Sequence, residues 1–435
     1  MDVVKEKNLV WSFLAIFSIF LVSLNNTLIS VSILGITIDR LLEMFLFLIL
    51  LPFIFKELIN NDSFFIFMVI ILIMIFFRTV ILFLDASTGT TELESILRDI
   101  VRIVMFAIFF SLAYFGLLKL GSKGIALFIF LTSPYFLLAF MQHPITPLTE
   151  VGAIITENLY LGNMIQDSTN KGGYIYTEFK RLGHMIRPSG PYGSPIILSY
   201  SIIPVMALSL FMYIYEEKKI YYFWFLFLSV VAFLSLTRSL IVGTFLMLLC
   251  ITLIQFILRR DRWMPAVLTL LSIPIFIFVS DQIEFFNRIF SFSDVFGGED
   301  LSVRQVAWIS GFMALMENPI YFISEDYLEI FQSMCLQNTN CIDFVSMHNG
   351  FLRVGRDFGL LGLILYLALF SWIFFKCFKQ LFPYNLLFGI CFIAYLTNTM
   401  FHNNTLFISE YSVLILIALL FLFDKRESLN AQRIN

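Results

Sequence analysis

Apolar runs of about twenty residues, broken by short polar gaps, recur along nearly the whole chain. A hydrocarbon core about 30 Å thick takes roughly 20 helical residues per crossing. By that measure spans fall near 9–28, 36–55, 64–84, 97–118, 123–141, 194–215, 220–237, 239–258, 263–280, 357–378, 384–401 and 404–423. The pattern predicts an all-α polytopic membrane protein with about 12 transmembrane helices. The first run follows a charged head with Lys5 and Lys7 and has no small-residue cleavage site after it, so it reads as an uncleaved helix. The chain divides into helices one to five (1–141), a long loop (142–193), helices six to nine (194–280), a larger loop (281–349) and helices ten to twelve with a short tail (350–435).

Alternate gaps carry basic residues: Lys56; Lys119 and Lys123; Lys218 and Lys219; Arg259, Arg260 and Arg262; Lys376 and Lys379; and, in the tail, Lys425, Arg426 and Arg433. The positive-inside tendency puts these gaps and both termini in the cytoplasm. The two long loops then face outward. In the second, Ser302 is positioned to cap a helix from Val303 to Glu317 that stops at Asn318-Pro319. Its apolar residues Val306, Ile309, Phe312, Met313 and Met316 suit a helix lying on the membrane or lidding a cavity.

Composition agrees: 59% hydrophobic and 14% charged, with a mean hydropathy of +0.89, which excludes an ordinary soluble domain. The 53 phenylalanines read as lipid-facing bulk and helix packing. Cys250, Cys377 and Cys391 fall within apolar runs as packing residues, while Cys335 and Cys341 share the larger loop, close enough for a disulfide in an oxidising compartment.

The basic residues differ by side. The cytoplasmic set has ten lysines and five arginines; of the other thirteen, eleven are arginines. Outer basic residues run against the topological tendency, and arginine's fork suits phosphate oxygens where lysine supplies only a point charge. An arginine cluster at an outer bundle mouth therefore fits a bound phosphate or diphosphate, against the plainer reading of pairing with local carboxylates, of which 281–349 holds ten. Candidates for the diphosphate are Arg187, Arg238, Arg304, Arg353 and Arg356. His143, His184, His348 and His402 all fall at or beyond outer helix ends. His348 stands out, because HNGFLRVGRDFGLLG sets it with Asn349, Arg353, Arg356 and Asp357 against the start of a helix, where an imidazole serves as a general base. Asp357 and Asn349 are candidates to orient it. No metal-ligand spacing and no phosphate-loop motif occurs in the sequence, so no cofactor, metal, nucleotide or nucleic-acid partner is indicated.

Taken together, these segments resemble the bacterial O-antigen ligase and polymerase superfamily (WaaL and Wzy). His348 followed by Gly359 gives an H-x10-G spacing; "RPSGPYGSP" with Arg187, "LTRSLIVG" with Arg238 and "LSVRQVAWISGFMALMENP" with Arg304 precede it in the family's order. The resemblance is best over about 187–378. It implies a GT-C-type membrane glycosyltransferase acting on undecaprenyl-diphosphate-linked oligosaccharide at the periplasmic face of the inner membrane, inverting and metal-independent, with catalytic residues His348, Arg304 and Arg238. It also implies a chain-length-controlling partner. A polymerase adds the glycan to a lipid-linked repeat unit; a ligase adds it to lipid A-core. The long third loop favours a polymerase and H-x10-G a ligase, while the polymerases' R-x10-G spacing is absent. A lipid-linked saccharide transporter is the rival from another class, disfavoured because polarity crowds one surface rather than the midplane.

Overall fold

A chain in hydrocarbon must pair its backbone polar groups internally, and a helix does so within one segment. Among the described residues the apolar runs accordingly fold as helices. The computed structural model describes residues 9–24, 32–33, 36–87, 89, 93–143, 146–148, 151–152, 155, 188, 190–192, 195–235, 237–258, 303–320, 324–335, 347, 349–402 and 412–434. Thirteen helices lie among them: α1 (Leu9–Ser23), α2 (Ile38–Asn60), α3 (Asp62–Ser87), α4 (Leu93–Leu120), α5 (Ser122–Met141), α6 (Pro195–Glu216), α7 (Lys219–Leu234), α8 (Arg238–Leu258), α9 (Val303–Glu317), α10 (Ser324–Cys335), α11 (Gly350–Lys379), α12 (Tyr384–Met400) and α13 (Leu414–Ile434). A two-residue antiparallel ladder, β1 (Ser32–Ile33) with β2 (Ile36–Thr37), leads into α2.

Ten of the twelve expected spans coincide with helices over most of their length, the last overlaps one in part, and the ninth, 263–280, lies outside the described residues. Among the described residues, six helices are long and apolar enough to cross a membrane: α3, the Ile103–Leu120 part of α4, α5, α6, α8 and α11. The last span needs correction. Expected at 404–423, it is a helix from Leu414 to Ile434. The apolar run ends at Phe423, but nothing from Asp424 to Ile434 is glycine or proline, so the helix continues into the polar tail.

Phenylalanine packs the bundle and also coats it. Phe106, Phe109, Phe110 and Phe115 of α4 are fully buried. Phe110 meets Phe67 of α3 at 4.4 Å between ring centroids, and Phe421 of α13 closes on Phe67 at 5.4 Å. Phe45, Phe65, Phe76 and Phe83 point outward, as a hydrocarbon surround requires. Cys250, Cys377 and Cys391 are buried free thiols. Cys335 is disulfide-bonded, and Cys341 lies outside the described residues.

One end of the bundle is tied by charge. Lys425 of α13 meets Glu57 of α2 at 2.6 Å, and the Tyr114 hydroxyl of α4 donates to the same carboxylate at 3.1 Å. Lys376 of α11 meets Asp424 at 2.7 Å, where Ser63 of α3 also donates. These are the helix ends that carry the lysine-rich gaps. Arg40, in the arginine-rich set, pairs with its own helix neighbour Glu43 at 2.9 Å, as the plainer reading of the arginines expects.

The expected external helix is α9, with the predicted limits. Its apolar residues do not share one face, however. Val306 packs inward with Ala307, Ala314 and Leu315, against Tyr327 and Phe331 of α10, whereas Ile309, Phe312, Met313 and Met316 are exposed. Helix α10 was not anticipated.

A break in α11 fixes how α9 docks. Gly359 adopts φ 70 and ψ 178, splitting the helix. The Leu360 N–H donates to the Pro319 carbonyl at 2.7 Å, and a Cβ at Gly359 would lie 2.5 Å from the Ile320 oxygen. Both the left-handed φ and the close approach demand glycine. Gly359→Ala is expected to cost about 2 kcal/mol or more, summing backbone strain and displacement of 319–320. A thermal midpoint in detergent equal to wild type would contradict this.

At the end of the bundle away from the lysines, His143 follows α5 and is 1% exposed. Burial lowers its pKa from 6.5 to about 4. Between those values the unfolded chain binds more protons than the native one. Its contribution is thus intact above the higher value and is lost as pH falls toward the lower. His143→Gln should flatten the fall of the thermal midpoint over that interval; an unchanged slope would refute the assignment.

Candidate functional site

The end of the bundle away from the lysines gathers buried polar groups. Asn398, on the last turn of α12, donates from Nδ2 to the Ser199 hydroxyl of α6 at 2.9 Å. Its Oδ1 accepts from the Ser239 hydroxyl on the first turn of α8. Ser199, Ser239 and Asn398 are all buried. Ser239 Oγ also lies 3.0 Å from His402 Nε2. Since the serine's one proton goes to Asn398, the imidazole must donate from Nε2, which leaves Nδ1 as the basic nitrogen of the neutral ring. Tyr200 stacks edgewise on that ring at 6.4 Å.

Helix α9 approaches the rim of this network. Trp308, one turn beyond Arg304, packs on Phe401, the neighbour of His402, at 5.9 Å between centroids. Two glycines allow α9 and α11 to approach. A Cβ at Gly311 would lie 2.8 Å from Met347 Sδ, and one at Gly355 would lie 2.7 Å from Leu315. The start of α8, with Arg238, the start of α9, with Arg304, and the end of α12, with His402, therefore converge. The Trp308 indole nitrogen is buried with no hydrogen-bond partner among the described residues, which is costly in an apolar setting.

The N-terminal segment of α11 carries a second constellation. Asp357, 2% exposed, accepts from Arg356 Nε and Nη2 at 2.9 Å each on Oδ1 and from Arg353 Nε at 3.3 Å on Oδ2. Arg78 of α3 lies 3.8 Å from Oδ1 and donates to the Asp357 carbonyl at 3.1 Å. A continuous helix would pair that carbonyl with residue 361, so the break at Gly359 exposes an acceptor that Arg78 takes.

Of the sequence candidates, Arg304 is half-buried on α9, and Arg238 opens α8 with its side chain outside the described set. Arg187 and His348 are outside the described residues. The segment after Arg187 is anchored, since Gly190 and Gln142 exchange hydrogen bonds of 2.9 and 3.1 Å and Tyr192 packs on Tyr135 and Phe136. Asn349 caps α11, its Oδ1 accepting from the N–H groups of Phe351 at 3.0 Å and Leu352 at 3.2 Å. Asp357's partners among the described residues are arginines. Sequence reasoning missed the Ser199–Asn398–Ser239–His402 network. An asparagine within an apolar run, four residues before a histidine, was the available signal.

Residues 223–367 match the family model described as O-antigen ligase (Wzy_C). The match supports the O-antigen polymerase and ligase superfamily. It spans a third of the chain and includes Arg238, Arg304 and the whole His348–Gly359 segment. No curated protein and no solved structure matches the chain. Over that third the chain is similar to a family of the O-antigen polymerase or ligase type.

Ser239→Ala removes the hydroxyl between Asn398 and His402 but little volume. Transfer activity is expected to fall on the order of 10–100-fold through misplacement of nearby groups, with membrane abundance near wild type. Undiminished transfer at matched abundance would exclude a role for the network.

Proposed function

We propose that the protein is a surface-polysaccharide polymerase, transferring a glycan from undecaprenyl diphosphate onto a lipid-linked repeat unit at the periplasmic face of the inner membrane. The approach of the helix ends that carry Arg238, Arg304 and His402, in the family-matched region and its neighbouring helix, supports this reading. The twelve-span GT-C-type arrangement with cytoplasmic termini is part of it, supported by lysine-tied helix ends opposite the arginine-rich ends. The disulfide at Cys335 suits an oxidising compartment on the side of α9 and α10. A partner that sets chain length would dock on the same face.

In this mechanism Arg187, Arg238 and Arg304 hold the donor diphosphate. The bond between the anomeric carbon and the diphosphate oxygen breaks as the acceptor hydroxyl oxygen bonds that carbon from the opposite face, inverting it. The diphosphate leaves on its lipid, its developing charge held by the guanidinium groups. His348 takes the hydroxyl proton, a contribution of about 10²–10⁴ in rate. No metal or cofactor enters the scheme. Ligation to lipid A-core is the alternative, favoured by the H-x10-G spacing of His348 and Gly359.

Arg304→Lys should be nearly as damaging as Arg304→Ala, since it keeps the charge and loses the fork. His348→Ala should abolish transfer in a protein that still folds. A lipopolysaccharide gel from strains expressing each variant at matched abundance reads both, and full-length glycan in either would reject that residue's role. In the deletion strain, core bearing a single repeat unit indicates the polymerase, and bare core with carrier-linked polymer indicates the ligase.

A further inference from the structure

Helices α9 and α11 run side by side in the same direction. A Cβ at Gly311 would meet Met347 and Leu352, one at Gly355 would meet Leu315, and the Leu360 N–H bonds to the Pro319 carbonyl at 2.7 Å. The stretch from Gly311 to Pro319 thus keeps step with the stretch from Leu352 to Leu360. Since α11 ends among lysines, α9 descends toward them. Its lower end is fixed by length. Leu360 lies about 24 Å along α11 from Lys376, whose amine is tied to Asp424 at the lysine-rich end. A hydrocarbon core is about 30 Å thick, and tilt only shortens the distance across it. Pro319 therefore falls within the outer limit of the acyl chains.

The exposed residues of α9 suit that depth. Ile309, Phe312, Met313 and Met316 form a stripe about 100° wide around the helix. Phe312 and Met316 are 55% and 54% exposed, and Ile320, just beyond the helix, is 75% exposed. Among the described side chains of α9, Glu317 is the one other exposed group. It lies within about 20° of Ser310, on the side where Ser310 meets Met334 of α10 at 3.4 Å. Helix α10 presents the opposite chemistry, because its exposed residues among those described are Glu329, Gln332 and Ser333. As a unit, the pair is apolar along α9 and polar along α10.

The stripe also continues a lipid-facing surface. Leu360 and Leu363 of α11 pack on the cluster formed by α9 and α10. One turn farther on the same side, Ile364 and Leu367 are exposed. The side of α11 that holds α9 thus opens to hydrocarbon directly below it. Irregular backbone at that depth needs its polar groups paired, and the Pro319 carbonyl has the Leu360 N–H.

We propose that the exposed face of α9 is seated among the acyl chains of the leaflet at the end away from the lysines. Helices α9 and α10 then form a hairpin that dips into the membrane, instead of one helix lying flat on it. The partner is bulk lipid, whatever reaction the protein performs. Arg304 stands about 18 Å along α9 from Met316 toward the water, so the leaflet itself sets its height.

The test uses the full-length protein in phosphatidylcholine nanodiscs, with a nitroxide attached at one of Phe312→Cys, Met316→Cys, Gln332→Cys and Ile364→Cys in turn. The unsubstituted protein is the blank for the buried thiols Cys250, Cys377 and Cys391. Collision with oxygen, which concentrates in acyl chains, is compared with collision with a water-soluble nickel chelate. Oxygen should dominate at 312 and 316, as at the lipid-facing reference 364, and nickel at 332. Dominance of nickel at 312 and 316 would put the stripe in water and overturn the proposal. Closure of both positions to both reagents would mean that protein covers the stripe, which overturns it equally. Should either substitution lower the yield of folded protein, Ile309→Cys and Met313→Cys sample the same stripe and carry the same two outcomes.

Discussion

Backbone groups released inside an apolar bundle must find partners, and the break in α11 releases several at once. Gly359 turns the chain out of helical geometry, and the Pro319 carbonyl at the end of the α9 segment takes the Leu360 N–H. Arg78 reaches across from α3 to the Asp357 carbonyl. One glycine therefore docks the external helix that carries Arg304 and also draws three arginines around one aspartate. A side chain at that position would meet the Ile320 oxygen and undo both. The glycine of the H-x10-G pattern thus has a mechanical reason to be there, apart from any chemistry at His348.

On the side of α11 that meets α9, small residues and one aromatic pair set the geometry. Gly311 and Gly355 let α9 lie close to α11, and Trp308 on Phe401 ties it to the end of α12. Asn398 then joins α6, α8 and α12 through two serines, with His402 at the rim. Each member has a hydrogen-bonded neighbour, which makes a polar network of this kind rigid where an apolar core would leave α8 free to slide. That rigidity bears on Arg238, the residue before Ser239.

Much of this was legible in the sequence, because the bilayer imposes a length rule that apolar runs obey. α3, α5 and α8 fall within a few residues of their expected limits, and α9 ends at Asn318-Pro319 as its turn chemistry dictates. The end of α13 was misjudged because hydropathy marks where a membrane segment stops, not where a helix does. α10 escaped notice because its alternation of acids with Tyr327, Ile330 and Phe331 is amphipathic but short. The split of α9 into an inward face at Val306 and an outward face at Phe312 depends on what packs against it, which periodicity alone does not contain. The same holds for the arginines: their excess was readable, but the division between α9 and α3 sides depends on the helix break at Gly359.

Arginine-bearing helix starts and buried hydrogen-bonding groups lie at one end of a bundle whose other end is closed by Glu57–Lys425 and Asp424–Lys376. Such polarity suits chemistry at one membrane surface better than passage through it. The most direct measurement is a reconstitution of the purified protein alone in liposomes with a lipid-diphosphate-linked oligosaccharide supplied in one leaflet. A longer lipid-linked glycan is expected, with one lipid diphosphate released for each bond formed. Intact saccharide appearing in the opposite leaflet, with no lengthening and no release, would contradict it.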